Sequence, residues 1–226
     1  MVHFDRHAPV YNETLDSAIS SSGYTADTVL LPKLSACREI WMRRHAPHPL
    51  RFLDYGCGPG RFAALFKNEF ESEAHYFGID VSEKSLREAR VRSGMTGGFG
   101  TREAPPYLPD QKFDIIMAAG VFHHIPPSAR PKEFSWLRDL LDPDGSLLIW
   151  EHNPWNPVTR KIVRLCDFDY DAQLISAPAL KKLLRTAGYG SITVDFRTFF
   201  PYRLRKLDAL MTWCPFGGQY SIEARP

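Results

Sequence analysis

The sequence predicts an α/β fold with a mainly parallel sheet, and two observations carry the prediction. Short apolar stretches alternate with helix-like stretches between residues 51 and 151. Parallel strands need long crossover connections, usually helices, so this alternation indicates a doubly wound sheet with helices on both faces. The first stretch also runs into alternate glycines, which is how folds of this class open a nucleotide site.

The predicted elements follow from local patterns. Strands are short runs of β-branched, aromatic and aliphatic residues, and helices carry apolar residues three or four positions apart. The predicted strands are 51–55, 75–80, 97–101, 113–119, 146–151, 191–200 and 219–224. The predicted helices are 61–70, 83–93, 129–141 and 178–187, after a first helix that begins near Leu31 because Pro32 favours a helix start. Residues 1–46 are predicted to form a helical lid or arm, and 47–226 the main domain.

Composition sets the broad class. The chain has 226 residues, of which 44% are hydrophobic and 24% charged, an ordinary balance for a globular protein. The net charge of +2 predicts no general affinity for nucleic acid. No apolar run approaches the roughly 18 residues of a membrane span, and no signal segment is expected. Four cysteines without a C-x-x-C pair favour a reduced cytoplasmic protein without structural zinc. The oligomeric state is left open.

The most informative stretch is the glycine turn Asp54-x-Gly56-x-Gly58-x-Gly60. Residues without a Cβ let the backbone bend sharply and approach a ligand closely. The acid two residues before the first glycine would repel a pyrophosphate and suits a ligand with an ammonium group. With Cys57, the stretch resembles motif I of the class I S-adenosylmethionine (SAM)-dependent methyltransferases.

That resemblance implies a seven-stranded sheet with an antiparallel last strand, and SAM as the cofactor. The glycine turn would hold the amino-acid end of SAM, the acid ending the second strand its ribose, the third strand's end its adenine, and the fourth strand's end its methionine part. The residues assigned to SAM are Asp54, Gly56, Cys57, Gly58, Gly60, Asp80, Val81, Glu103, Ala119 and Gly120. The alternative for Asp80 is a helix N-cap, but Ser82 can supply that cap.

The candidates for catalysis are two histidines after the fourth strand and the polar stretch after the fifth. His123 or His124 could act as a general base, or His124 could merely cap the loop or pack on the glycine turn. His152, with Glu151 and Asn153, is predicted to border the acceptor pocket and to orient or deprotonate the substrate. The alternative is a capped turn that enters a helix at Asn156, and both can hold.

An N-terminal F-D-x-x-A-x-x-Y segment also resembles one found in small-molecule methyltransferases. By that resemblance Tyr11 would lie near the sulfonium and stabilise its charge. The alternative is an aromatic anchor for the arm. Residues around Tyr24 would help to close the site.

The sequence therefore predicts transfer of a methyl group from SAM to an oxygen or nitrogen of a small molecule. No magnesium site is expected, because Ala119 and Gly120 stand where a catechol-type enzyme has an acid. Basic and aromatic side chains in the last third would suit an acidic or aromatic substrate, and the alternative for the basic ones, which is the more common case, is a solvated face. Two alternatives remain: a SAM-binding protein without turnover, and a nicotinamide or flavin oxidoreductase.

Overall fold

Seven strands form one sheet in this computed structural model, which describes residues 23–95, 98–166 and 169–226. In chain order the strands are β1 (Leu50–Tyr55), β2 (Ala74–Ile79), β3 (Phe99–Gly100), β4 (Phe113–Ala119), β5 (Leu141–His152), β6 (Ser191–Arg197) and β7 (Gln219–Arg225). The helices are α1 (Leu31–Arg44), α2 (Arg61–Phe70), α3 (Glu83–Ser93), α4 (Arg130–Leu140), α5 (Pro157–Leu165) and α6 (Ala177–Thr186). Short 3₁₀ segments are Glu71–Glu73, Phe122–His124 and Tyr202–Leu210. No described helix has the length and apolar character needed to cross a membrane.

The strand order is β3-β2-β1-β4-β5-β7-β6. The pairs from β3 to β5 are parallel, and β7 runs antiparallel between β5 and β6. This confirms the predicted fold class, including its antiparallel last strand. The order reverses between β1 and β4, so the carboxyl ends of these two strands flank the crevice where such sheets bind ligands.

Two apolar clusters cover the faces of the sheet. Phe52 and Ile115 belong to one cluster with α1, α2 and α3, whereas their neighbours Leu53 and Ile116 belong to the other with α4 and α6. Successive residues of a strand point to opposite faces, so both faces of β1 and β4 are buried. This explains why neither strand shows a regular alternation of apolar and polar residues.

Most predicted boundaries agree with the structure to within one residue, and the exceptions have local causes. The fifth strand begins at Leu141 rather than at residue 146, because Leu141 pairs with Phe113 before the register shifts. The sixth ends at Arg197 rather than at residue 200, because Thr198 has a φ of +63° and leaves the extended conformation. The third has two residues within the predicted 97–101, of which residue 97 lies outside the described part.

The first helix begins at Leu31, as predicted, and its apolar face joins the core. Leu34, Cys37 and Ile40 are buried in the cluster that contains Phe52 and Ile115. The helix therefore packs on the sheet, beside the carboxyl ends of the central strands. The division of the chain at residue 47 stays a prediction, since residues 1–22 lie outside the described part.

Candidate active site

A cavity of about 540 Å³ opens at the carboxyl ends of β1, β2, β4 and β5, under α1. That volume suits a cofactor or small ligand, for which roughly 300–1,000 Å³ is usual. Most of the residues predicted for the site line it: Asp54, Gly56, Cys57, Gly58, Asp80, Val81, Glu103, Ala119, Gly120, His123, His124 and His152. Residues predicted from separate motifs thus meet at one place.

The glycine turn lies against the ends of two strands. The N–H groups of Gly56 and Cys57 donate to the carbonyl of Ile79, and the N–H of Gly58 donates to Asp80 Oδ2 at 2.9 Å. Gly58 has a φ of +52°, and a Cβ added there would meet no atom within 4 Å. The turn therefore presents bare backbone to the cavity, a cradle that a side chain would partly fill.

Gly60, which is also predicted to hold SAM, does not line the cavity. It has a φ of +75° at the N-terminus of α2. A Cβ there would lie 2.5 Å from the Cα of Ala89 in α3. In the structure this glycine lets α2 and α3 approach closely. Its assignment to SAM stays a prediction.

Asp54 is a buried acid at the wall of the cavity. Its carboxylate accepts a hydrogen bond from the Tyr76 hydroxyl at 2.5 Å. Burial, with a smaller effect from the charge of Asp80, raises the pKa of Asp54 to about 7, although the Tyr76 hydrogen bond acts in the opposite direction. A cationic ligand beside this buried carboxyl would favour its charged form and lower its pKa again. The predicted ammonium group of SAM fits this position.

Asp80 receives two backbone hydrogen bonds and also faces the cavity. Its two oxygens accept from the N–H groups of Gly58 and Ser82. Ser82 accepts the N–H of Ser85 and so caps α3, as predicted. A carboxylate offers about four lone-pair sites, so this acid can also accept from hydroxyl groups of a ligand. The exposed side chains of Val81 and Glu103 lie at the rim.

Beyond the glycine turn, the cavity wall is built from charged and imidazole groups on neighbouring strands. His123 Nδ1 lies 2.6 Å from Glu151 Oε2, and both side chains are buried. Glu151 Oε1 accepts the N–H groups of Val121 and Phe122 at 3.2 and 2.8 Å. Glu151 lies behind His123 and does not line the cavity, so it does not border the cavity as the sequence predicts.

Opposite charges stabilise the contact between His123 and Glu151. Burial alone would lower the pKa of His123, but the charge of Glu151 and the carboxylate of Asp169 outweigh it and raise the pKa to about 10. Burial alone would raise the pKa of Glu151, and His123 reverses the direction. His123 Nε2 lies 3.4 Å from Asp169 Oδ1, and His124 Nε2 lies 3.3 Å from the same oxygen. His124 Nδ1 is also 3.1 Å from Asp171 Oδ1.

His152, the last residue of β5, faces the cavity, and its ring centroid is 5.3 Å from that of His123. Burial and the charge of His123 lower the pKa of His152 to about 4. Its predicted neighbour Asn153 is different: its amide donates to the carbonyls of Pro215 and Gly217. The side chain of Asn153 thus links the turn after β5 to the loop before β7, and it does not line the cavity. The capped turn of the alternative is also present, because Asn156 accepts the N–H of Thr159.

Among the cavity residues that the sequence did not predict, two are both buried and charged. Asp169 comes from the segment after α5, and no sequence pattern connects it with the histidines. Lys33 lies in α1, buried, with Nζ donating to the carbonyl of Val29 at 2.9 Å and lying 5.0 Å from the ring centre of Trp150. Burial lowers the pKa of Lys33 to about 7. A signal existed, since Lys33 interrupts an apolar stripe at helical spacing. The predicted Tyr11 lies outside the described residues.

A direct test of the cofactor site is Asp80→Ala. The wild-type chain should bind SAM, and the variant should bind it at least about tenfold more weakly, because charge-assisted hydrogen bonds contribute about 1.5–3 kcal/mol. Titration calorimetry measures both affinities, and Asp110→Ala, an exposed acid, is the matched control. Unchanged affinity in a folded Asp80 variant would restrict this residue to its backbone contacts.

Comparisons with known proteins agree with this geometry. A family model described as a methyltransferase domain matches residues 31–194. The trans-aconitate 2-methyltransferase of Streptomyces coelicolor is 27% identical over 121 residues, 51% of this chain and 39% of that protein. A probable methyltransferase of Aspergillus luteorubrus is 28% identical over 164 residues, 61% of this chain and 56% of that protein. The chain thus spans less than two thirds of the length of either relative.

Solved structures support the fold. A SAM-dependent methyltransferase of Thermotoga maritima, described as a possible histamine N-methyltransferase, superposes with a TM-score of 0.64. It is 20% identical, and the match covers 98% of this chain and 97% of that one. At this identity the likeness concerns the fold alone.

Proposed function

From the premise that the chain belongs to the class I SAM-dependent methyltransferase family, we propose that it methylates a small molecule that carries an acidic group. Membership rests on the family model, which matches well over half of the chain, and on the seven-stranded fold. The acceptor atom is an oxygen or nitrogen, as the sequence predicts. The observation that carries the choice of an acidic acceptor is Lys33.

Lys33 is a buried amine at a ligand cavity without an acidic partner. Among the described residues, no ion pair between a carboxylate and Lys33 is present, and its hydrogen bond goes to a backbone carbonyl. A buried charge without a partner is costly, so burial favours the neutral amine. An acceptor carboxylate would restore the ion pair and could make a charge-assisted hydrogen bond. That a relative is named for methylating trans-aconitate, a carboxylate, supports this substrate class.

The remaining residues have roles in binding and alignment. SAM, when bound, supplies a methyl group on a positively charged sulfur. Asp54 would hold its ammonium group, Asp80 its ribose, and the bare turn at Gly58 would allow close approach. Lys33 would bind the acceptor from α1, in the cavity that His123, His124 and His152 also line. Such alignment, with water excluded from the cavity, can supply much of the rate.

The alternatives can be weighed against the cavity. A SAM-binding protein without turnover would need no open space beside the cofactor residues, yet His123, His124 and His152 line the same cavity as Asp54 and Asp80. The oxidoreductase alternative draws no support from the family match. Methyl transfer is therefore the function that the site favours.

Replacing Lys33 by methionine tests the acidic acceptor. With labelled SAM and a panel of small carboxylates, each paired with its neutral amide, the wild type should methylate acids in preference. Lys33→Met should raise the Michaelis constant for the acid about ten- to hundredfold, as expected for the loss of one charge-assisted bond, and leave SAM affinity unchanged. Lys132→Met, at an exposed position, is the control. Equal use of acids and amides would overturn the substrate class, and SAM binding without methyl transfer to any acceptor would overturn the activity.

The same variant should be more stable, with a defined pH dependence. The pKa of Lys33 is about 7 in the folded chain and about 10.4 when unfolded. Between these values the unfolded state binds more protons, so wild-type stability rises with pH. Methionine has no such titration, so its advantage in the free energy of unfolding should be largest near pH 7 and shrink towards pH 10. Urea unfolding at several pH values measures it.

A further inference from the structure

We propose that His123, His152 and Asp169 form a binding site for a divalent transition-metal ion in the wall of the cavity. The site goes beyond the proposed function, because metal binding here needs neither SAM nor an acceptor. One donor atom from each of the three residues lies within 4.8 Å of the others. Their convergence comes from the fold: His123 follows β4, His152 ends the neighbouring β5, and Asp169 follows α5.

The donor set matches the chemistry of such ions. Two imidazole nitrogens and one carboxylate bind catalytic zinc and non-haem iron, and imidazole also suits nickel and copper. Donors bound at about 2.0–2.1 Å to a tetrahedral ion stand roughly 3.4 Å apart. His123 Nε2 and Asp169 Oδ1 are 3.4 Å apart, so these two donors already have the spacing that an ion between them requires.

An independent observation points to a ligand. The side chain of His123 is only 2% exposed, and its Nε2 atom has no hydrogen-bond partner among the described residues. Buried polar atoms are normally satisfied, so each exception calls for an explanation. The described part of the chain likewise supplies no hydrogen bond to the ring nitrogens of His152, which faces the same space. A His123 Nε2 atom without a hydrogen bond and a His152 ring without one, both beside the Asp169 carboxylate, are explained by an ion that all three residues bind.

The surroundings orient the first of these ligands. Glu151 contacts Nδ1 of His123 at 2.6 Å and is itself held by two backbone N–H groups. This fixes the ring so that Nε2 points towards Asp169. A carboxylate behind a histidine is the usual outer shell of a metal-binding imidazole. The sequence predicts no magnesium site because Ala119 and Gly120 supply no oxygen ligands at the end of β4. That argument does not apply to this site, where two of the three donors are imidazole nitrogens.

A competing explanation needs no metal: His123 is a cation held between Glu151 and Asp169. It accounts for the short contact to Glu151. It does not use His152, and it leaves Nε2 without a well-aligned hydrogen bond. The two explanations differ in one measurable respect, which is whether the chelator-treated protein takes up an ion that His152 helps to bind.

The experiment uses the full chain, treated with chelator and then titrated with Zn²⁺ by calorimetry, without SAM or acceptor. We expect about one ion per chain, and Co²⁺ in its place should give a visible absorption band that changes in the variants. His152→Ala and Asp169→Asn should weaken Zn²⁺ binding by about 100-fold or more, and Glu151→Gln by about 10–100-fold. His75→Ala, an exposed histidine on β2, should bind as the wild type does.

Two outcomes would overturn the site. One is a folded, chelator-treated wild type that binds neither Zn²⁺ nor Co²⁺. The other is binding that the His152 variant leaves unchanged, since that side chain faces the cavity and its removal should not prevent folding. SAM affinity is measured separately on the same samples, so failure of the metal site and failure of the proposed function give different results.

Discussion

Gly60→Ala is expected to lower the free energy of unfolding by about 2–5 kcal/mol, the largest stability effect that we predict for a single methyl group. Two costs combine. The φ of +75° is a left-handed conformation, which costs a residue with a side chain about 1–2 kcal/mol. The new methyl group would also lie 2.5 Å from the Cα and 2.7 Å from the Cβ of Ala89, and overpacking of this kind costs about 1–3 kcal/mol.

The neighbouring Gly58→Ala separates these costs. Gly58 has a φ of +52°, so alanine there carries the same backbone penalty, but its Cβ would meet nothing within 4 Å. We expect about 1–2 kcal/mol of destabilisation and, because the methyl group enters the cavity, weaker SAM binding. Urea unfolding and calorimetry measure both quantities. Equal destabilisation in the two variants would show that close packing of α2 on α3 is not what requires glycine at position 60.

The sheet could be predicted from the sequence because its strands are short, apolar and separated by helices. Burial of β1 and β4 on both faces produced mainly apolar stretches without regular alternation, and their short length between helix-like segments favours strands. The glycine turn was equally informative, since three glycines at alternate positions after a strand need a specific backbone path. Its last glycine packs closely on α3 in the structure, and spacing alone does not distinguish close approach to a ligand from close approach to another helix.

The polar wall of the cavity was only partly predictable. His123 and His152 lie at strand ends, a position that itself suggests a site. The positions of the neighbouring side chains could not be predicted in this way. Glu151 and His152 are adjacent in sequence, yet the Glu151 side chain is buried behind His123 and the His152 side chain faces the cavity. Alternation along a strand sends neighbours to opposite sides, and the side that faces a ligand depends on how the sheet is covered. Asp169 reaches the wall from a separate segment, a contact that only the tertiary structure reveals.

Lys33 illustrates a different limit. A lysine in an amphipathic helix is usually a solvated residue, and the general expectation is correct for most positions. Here α1 lies across the carboxyl edge of the sheet, so the lysine on its inner face reaches the cavity rather than water. The position within an apolar stripe was the available signal, and interpreting it required knowing what the stripe packs against.

His152→Ala is expected to lower turnover by about 10²-fold or more while SAM affinity stays nearly unchanged. The side chain faces the cavity beside His123. Within the described part of the chain it makes no hydrogen bond or ring contact with the glycine turn or with Asp80. Its loss therefore removes a polar group from the acceptor side and leaves the cofactor side intact. Small displacements of a reacting group lower the rate steeply, because transfer requires close and aligned partners.

Steady-state kinetics and SAM calorimetry on the same preparation test this expectation. A fall in turnover with an unchanged Michaelis constant indicates a role in the transition state, whereas a raised Michaelis constant alone indicates uniform binding of the acceptor. His75→Ala removes an imidazole from an exposed position and should behave as the wild type. If His152→Ala retained full turnover, the acceptor would lie elsewhere in the cavity, and His124, which also lines it, would become the residue to replace next.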